Sequence, residues 1–219
     1  SKGMHNVQLS HVKGEPRILS PGFEYPQFRG HGLEIRRSLG ISTSVHQPRD
    51  YGRPNARRNA IRANQWKYVD YNGDGHDDLL VGIGDWADYG WDNAFNRQGL
   101  WTHGPLHGYV YLLLNQARAG KPVYAAPVPL QAGGKQVDVF GMPSPNLADF
   151  DQDGDLDLLC GEFIDSLTYF ENVGSRRKPR YSAGRLLQHQ GQPIRMDLCM
   201  ITPVSVDWDR DGDIDLVIG

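Results

Sequence analysis

The chain has 219 residues, 26 of them Gly and 14 Pro, with 10% aromatic residues and a formal net charge of -3. Mean hydropathy is -0.54, and no apolar run approaches the roughly 20 residues of a membrane span, which excludes a membrane helix. The acidic balance and the lack of a recognised nucleic-acid module argue against nucleic acid as a partner.

The N-terminus reads SKGMHNVQ, without the apolar h-region of a signal peptide, as a mature or tagged chain would. Residues 1–60 read as a basic segment with irregular or edge strands. Residues 1–69 carry 12 Lys and Arg against 4 Asp and Glu, and the remainder 11 against 22. The positive charge concentrates in RDYGRPNARRNAIR, which holds Arg49, Arg53, Arg57, Arg58 and Arg62. Arginine binds carboxylate, sulfate and phosphate bidentately. The same stretch is also readable as a solvated loop that balances acidic neighbours.

Residues 61–219 are dominated by an acidic nonapeptide that occurs three times: DYNGDGHDD from Asp70, DFDQDGDLD from Asp149 and DWDRDGDID from Asp207. Each copy fits D-x-[DN]-x-D-G-x-x-D and runs into a short apolar segment closed by glycine: LLVG, LLCG, LVIG. Oxygen-bearing side chains at positions 1, 3, 5 and 9 of a tight loop suit a hard cation. The spacings of 79 and 58 residues imply a repeat architecture. An EF-hand would need a bidentate Glu at position 12, where this chain has Val81, Cys160 and Ile218. The flanking runs read as buried strands, so each loop is expected to join a hairpin. After the second loop, SLTYFENVG and RYSAG supply two more strands, giving a four-stranded unit of roughly 60 residues, the size of a propeller blade. Cys160 ends one buried strand and Cys199 precedes another; a cross-blade pair and two buried free thiols both fit.

The segment NLADFDQDGDLDLLCGEFIDSLTYFENVG resembles an FG-GAP/VCBS-type repeat, as found in integrin α-subunit propellers and many secreted bacterial proteins. KYVDYNGDGHDDLLVGIGDW and VSVDWDRDGDIDLVIG resemble two more, so the resemblance covers about Gln65 to Gly219. It implies an all-β propeller with about three blades in residues 61–219, the last incomplete, and up to three structural Ca²⁺ ions. By motif position the side-chain ligands are Asp70, Asn72, Asp74 and Asp78; Asp149, Asp151, Asp153 and Asp157; and Asp207, Asp209, Asp211 and Asp215. The seventh position, His76, Asp155 or Asp213, is expected to give its backbone carbonyl. Asn72 removes one charge and is expected to weaken the first site modestly. Propellers close with four to eight blades, so the chain is expected to be a fragment, a cleaved chain or one piece of an assembly. The remaining blades would come from the rest of the protein or from another chain. Loops of this kind work where Ca²⁺ is abundant, which favours an extracellular or periplasmic setting.

With acidic loops joining strands one and two, the opposite face receives the blade-to-blade links and the strand two-to-three links. The arginine-rich stretch and a long insert, IGDWADYGWDNAFNRQGLWTHGPLHGYVY, are both expected on that face. Long inserts in compact repeats line binding faces. This one carries Trp86, Tyr89, Trp91, Phe95 and Trp101, with Asp85, Asp88, Asp92, Asn93, Arg97, His103 and His107. Aromatic rings stack on sugars, and histidines transfer protons near neutral pH. Gly and Pro in THGPLHG rule out a helical i, i+4 metal pair. Several of the tryptophans are equally readable as packing for the loop. Two functions remain open. One is a secreted protein that binds or acts on an acidic or sulfated glycan, as a lyase or glycoside hydrolase if an enzyme. Its catalytic candidates are His46, Arg62, Tyr89, His103 and His107, and its ligand contacts Trp86, Trp91, Arg97, Trp101 and Arg49. A glycosidase would need two carboxylates, for which Asp85, Asp88 and Asp92 are available. The other function is a non-catalytic adhesion or protein-binding propeller. No P-loop, dinucleotide fingerprint, nucleophile elbow or zinc signature is present.

Overall fold

The computed structural model describes residues 6–53, 60–90, 93–117 and 121–219. The fold is all-β, made of separate antiparallel ladders, and among the described residues no helix is long and apolar enough to cross a membrane. The N-terminal sheet is a meander of β1 (Gln8–Val12), β2 (Glu15–Ser20), β3 (Phe23–Tyr25) and β4 (Arg37–Ser38), with one helical turn, α1 (Phe28–His31), before its last strand. Lys13 and Gly14 both take positive φ, 51° and 78°, which is the two-residue turn that follows strand twist in a tight hairpin. Glu24 of β3 is buried between Arg17 (3.1 Å) and Arg37, and Tyr68 Oη donates to it at 3.3 Å.

The second sheet holds β5 (Ile61–Val69), β6 (Asp78–Asp85) and β7 (His107–Leu113). Its fourth position is shared by β8 (Val128–Pro129) and β11 (Asp138–Phe140), which pair with different ends of β7. Between them a small hairpin, β9 (Gln131–Ala132) and β10 (Lys135–Gln136), projects from the edge. The third sheet runs β12 (Ser144–Ala148), β13 (Asp157–Gly161), β14 (Leu167–Phe170), β15 (Arg185–Leu186), followed by an equivalent hairpin, β16 (Gln188–His189) and β17 (Gln192–Pro193). RYSAG lies just before β15 rather than in it, with Tyr181 making isolated bridges to Ala132 and Asn172. The last ladder pairs β18 (Pro203–Val206) with β19 (Asp215–Ile218).

Each acidic nonapeptide joins a hairpin, closing at Val69↔Asp78, Ala148↔Asp157 and Val206↔Asp215. The strands that follow the first two are buried on both faces, which is why they read as continuous apolar runs rather than alternating ones. Leu79, Val81 and Ile83 of β6 pack with Leu19 and Trp66 toward the N-terminal sheet. Leu80, on the other face, packs with Leu158, Cys160 and Phe170 of the third sheet. Leu159 faces onward to Ile201, Leu216 and Ile218. Glycines open the same interfaces to backbone: a Cβ on Gly82 would lie 2.4 Å from the Pro143 carbonyl oxygen, and one on Gly161 2.0 Å from that of Ile201. Cys160 and Cys199 are both free thiols, which decides against the cross-blade pair; Cys160 is buried as expected and Cys199 is exposed.

Candidate functional site

Asp85 ends β6 and His107 begins β7, directly opposite each other in the ladder. They stand at the end of the sheet away from the acidic loop, about 23 Å from Asp78 at the usual strand rise. The segment after β4 crosses this end with His46, Gln47, Arg49 and Tyr51, and β11 adds Asp138 opposite Tyr109. His46, Gln47, Arg49 and Tyr51, with Asp85, Asp88, His107, Tyr109 and Gln136, line a pocket of about 450 Å³, and Asp138 stands behind His107. His46 Nε2 donates to Asp85 Oδ2 at 2.6 Å, so in the neutral ring Nδ1 accepts from Tyr111 Oη at 2.7 Å. His107 Nδ1 donates to Asp138 Oδ2 at 2.7 Å, and Asp138 Oδ1 accepts from the Gly108 amide at 3.1 Å. That leaves His107 Nε2 as the nitrogen nearest Asp88, 3.4 Å from its Oδ2. The hydrogen bond to Asp138 is the main cause that raises the His107 pKa above the ordinary imidazole value; burial opposes it, and the charges of Asp138 and Asp88 add to it. The His107 ring stacks on Tyr109 at 5.6 Å. Arg49 and Arg53 lie over the Tyr51 ring at 5.5 and 5.3 Å, and Arg53 also holds Asp88. Burial, with the Asp88 charge, pushes the Tyr51 phenol up.

Of the residues singled out from the sequence, His46, Arg49 and His107 meet in this pocket. His103 stands beside it, its Nδ1 donating to the Tyr89 carbonyl at 2.7 Å and its ring edge-on to Trp101. Tyr89 stacks on Trp101 at 4.6 Å, and Trp86 is buried against Phe163 at 4.9 Å. These insert aromatics therefore pack largely on one another. Arg62 lies over the Trp86 ring at 5.2 Å, and Arg97 is exposed on a small hairpin closed by a Phe95–Trp101 bridge. Trp91, Asp92, Arg57 and Arg58 fall outside the described residues. Residue type alone does not single out Asp138, Tyr51, Tyr109 or Gln136. Asp138 is a lone acid in QVDVF, and only the register of β11 against β7 shows that it faces His107.

The acidic loops share a hydrogen-bond pattern that is full in the first two and reduced in the third to the bonds accepted by Asp209 and Asp211. In the second, Asp149 accepts from the amides of Asp153 (3.1 Å) and Gly154 (3.1 Å), and Asp153 from that of Asp155 (3.0 Å). Asp70 does the same for Asp74 (3.0 Å) and Gly75 (3.2 Å), and Asp211 accepts from the Asp213 amide at 2.9 Å. The ninth-position carboxylates tie the first two loops to the ladders: Asp78 accepts from Asn115 N (2.6 Å) and Asp157 from Asn172 N (2.7 Å). Oxygens of Asp149, Asp151 and Asp153 lie within 4.8 Å of one another, as do those of Asp207, Asp209 and Asp215. The Asp155 side chain is buried beside them with Oδ1 unpartnered among the described residues, and burial plus the surrounding aspartates push its pKa up to about 6. A hard cation would relieve that crowding, so the second loop fits one. In the first loop Arg176 spans the turn, donating to the carbonyls of Tyr71 (2.9 Å) and Asp70 (2.5 Å) and lying 3.5 Å from Asp70 Oδ2. With Asn72 in place of an aspartate, this loop is the poorest fit of the three.

Comparison of the chain with protein-family models, with curated proteins and with solved structures finds no match.

Proposed function

We propose that this is a secreted, calcium-stabilised β-propeller chain of FG-GAP/VCBS type that binds an acidic or sulfated glycan at the end opposite its acidic loops. The observation that carries the reading is the pocket in which His46, Arg49, Asp85, Asp88 and His107 converge, with Asp138 hydrogen-bonded to His107. A concave site with cations, carboxylates and two oriented imidazoles favours chemistry over a flat adhesive face. The ladders ordered in sequence, with an acidic loop closing the first hairpin of each of the last three, support the propeller arrangement. The clustered aspartates support the ion, which would supply charge neutralisation and rigidity to the loops.

The reaction these side chains serve best is β-elimination on a uronate. Arg49 neutralises the substrate carboxylate, which acidifies the adjacent C5–H. His107 Nε2 takes that proton. The electron pair forms the C4=C5 double bond, the C4–O bond breaks, and the same imidazole returns the proton to the leaving oxygen. Asp138 holds Nδ1 and fixes the tautomer in which Nε2 carries the lone pair, and substrate has to displace the long 3.4 Å contact of Nε2 with Asp88. The tyrosines are weaker candidates for base, because burial pushes the phenols of Tyr51 and Tyr109 up. A two-carboxylate glycosidase is less well served, since Asp85 is bound by His46 and Asp88 by Arg53.

A panel of acidic and neutral polysaccharides with calcium present tests this, reading both unsaturated uronate ends and reducing ends. Product from a uronate polymer, reduced about 10²–10⁴-fold in His107→Ala, is expected. Asp138→Asn should also shift the acid limb of kcat/KM to lower pH, because the neutral base is the active form and Asp138 raises its pKa. Retention on a glycan without product would instead establish the binding-module alternative. Chelation should lower Tm, at about 2.7 kcal/mol per ion held at a hundred times its dissociation constant. An unchanged Tm after verified metal removal would end the structural-calcium proposal.

A further inference from the structure

The first strands of the three larger sheets and of the β18–β19 ladder meet around a second cavity, of about 480 Å³, that shares no lining residue with the histidine pocket. β1 contributes Ser10 and His11, β5 Lys67 and Tyr68, β12 Asn146 and β18 Ser205, and the remaining walls are Leu9, Val204, Val206, Trp208 and Val217. No Asp or Glu lines it.

The polar groups here are donors in excess. Lys67 is 7% exposed, and among the described residues its ammonium has one hydrogen bond, to the Pro203 carbonyl at 3.3 Å, and no ion pair. A buried ammonium has three N–H groups to satisfy. Ser10 Oγ already accepts from the Tyr68 amide at 2.8 Å, and Ser205 Oγ accepts from Asn146 Nδ2. Neither hydroxyl proton has an acceptor among the described residues. A buried cation with two free hydroxyl donors lacks an anion, and buried charges persist only when paired. The volume lies in the range of small-molecule sites.

We propose that this cavity binds a small organic carboxylate with an apolar body, its oxygens on Lys67 Nζ and the hydroxyls of Ser10 and Ser205. The aliphatic walls take the body of the ligand, with Trp208, 74% exposed, beside them, and the lack of lining acids lets the anion in without repulsion. Burial holds the Lys67 amine down to about 8, and a bound anion would raise it again. The site is independent of the glycan reading, because it lies on different residues from the histidine pocket; it borders the third acidic loop through Trp208.

Phenylacetate is the probe, titrated into the whole chain while following Trp208 fluorescence and Tm. Phenylacetamide keeps the ring and loses the charge; glucuronate keeps the charge and loses the apolar body. Saturable binding of phenylacetate is expected, with both controls at least about tenfold weaker, the range set by one charge-assisted hydrogen bond. Lys67→Met should weaken phenylacetate about tenfold or more, and Ser10→Ala with Ser205→Ala several-fold. Trp208→Phe should remove the fluorescence change and leave the Tm shift. Equal binding of phenylacetamide would reduce the site to an apolar crevice and overturn the proposal. So would the absence of any saturable response to phenylacetate. If Lys67→Met does not fold, the acid-against-amide comparison on the native chain and the serine variants decide.

Discussion

Gly161→Ala is expected to cost the protein about 3 kcal/mol or more, and Gly82→Ala nearly as much. The added methyl at 161 would sit 2.0 Å from the Ile201 carbonyl oxygen and 2.7 Å from Pro203 Cδ. At 82 it would meet the Pro143 oxygen at 2.4 Å and Pro145 Cδ at 2.7 Å. Both obstacles are backbone or ring atoms, so no rotamer change relieves the contact, and neighbouring sheets have to part. Overpacking of this kind exceeds the usual cost of about 1–3 kcal/mol when it spreads to the backbone. Both glycines are in central strands at ordinary φ, so the penalty is one of space and not of conformation. Gly30 is the control: a methyl added there would have nothing within 4 Å, and alanine should be neutral or slightly stabilising. Urea unfolding of the three variants reads the differences directly. A Gly161→Ala protein as stable as the Gly30→Ala protein would mean that the third sheet and the last ladder do not approach as described.

Lys67→Met is expected to change the pH dependence of stability by about 3 kcal/mol. The folded-state amine titrates at about 8, against about 10.4 for an unfolded lysine. Between these values the unfolded chain binds a proton that the folded chain does not, so stability rises with pH across that window and is flat below it. The gap of about 2.4 pH units corresponds to about 3 kcal/mol. Buried tyrosines pull the other way at high pH: their folded phenols are raised, so the unfolded chain loses its phenolic protons first and gains on the folded one. The difference between the native protein and Lys67→Met cancels those contributions. Methionine keeps most of the length of the stem and gives up the contact with the Pro203 carbonyl. Moving from pH 7 to about pH 10.5, the native protein should gain about 3 kcal/mol on the variant in urea melts. A difference that stays constant would show that the amine is hydrated.

Much of the strand plan was legible in the sequence, because its causes are local. An acidic turn followed by LLVG or LLCG states both the hairpin and the double burial of the strand after it. The closing glycines were visible, but not the reason for them, since the atoms they make room for lie about 40–60 residues further along. The N-terminal meander was hidden for a different reason. Its strands are short, and its key turn uses Lys13 at positive φ, where the sequence offers only the Gly14 half of the signal. The split fourth strand of the second sheet was equally hidden, because VPLQAGGKQVDVF alternates too weakly to show two strands flanking a hairpin. At the pocket, residue type pointed to His46, His107 and Arg49. Asp138 and Tyr51 join them only through tertiary placement. The insert's aromatics show the converse: their abundance suggested a sugar platform, whereas Tyr89 and Trp101 stack on each other and only Phe95 among these three stays largely exposed.

The alternation along β6 and β13 bears on how the protein comes apart. Odd positions of β6 belong to one interface and Leu80 to the next; in β13 the parity reverses, with Leu158 looking back and Leu159 looking forward. Each ladder is thus glued chiefly to its immediate neighbours, and cooperativity passes through the chain as it does along a stack of coins. Amide exchange should then be graded, fastest in β18–β19 and slowest in β6, where both faces are covered. The Lys67 contact with Pro203 skips a layer, linking the second sheet directly to the last ladder. It is placed to act as a latch, and its release should let the terminal ladder detach before the rest melts.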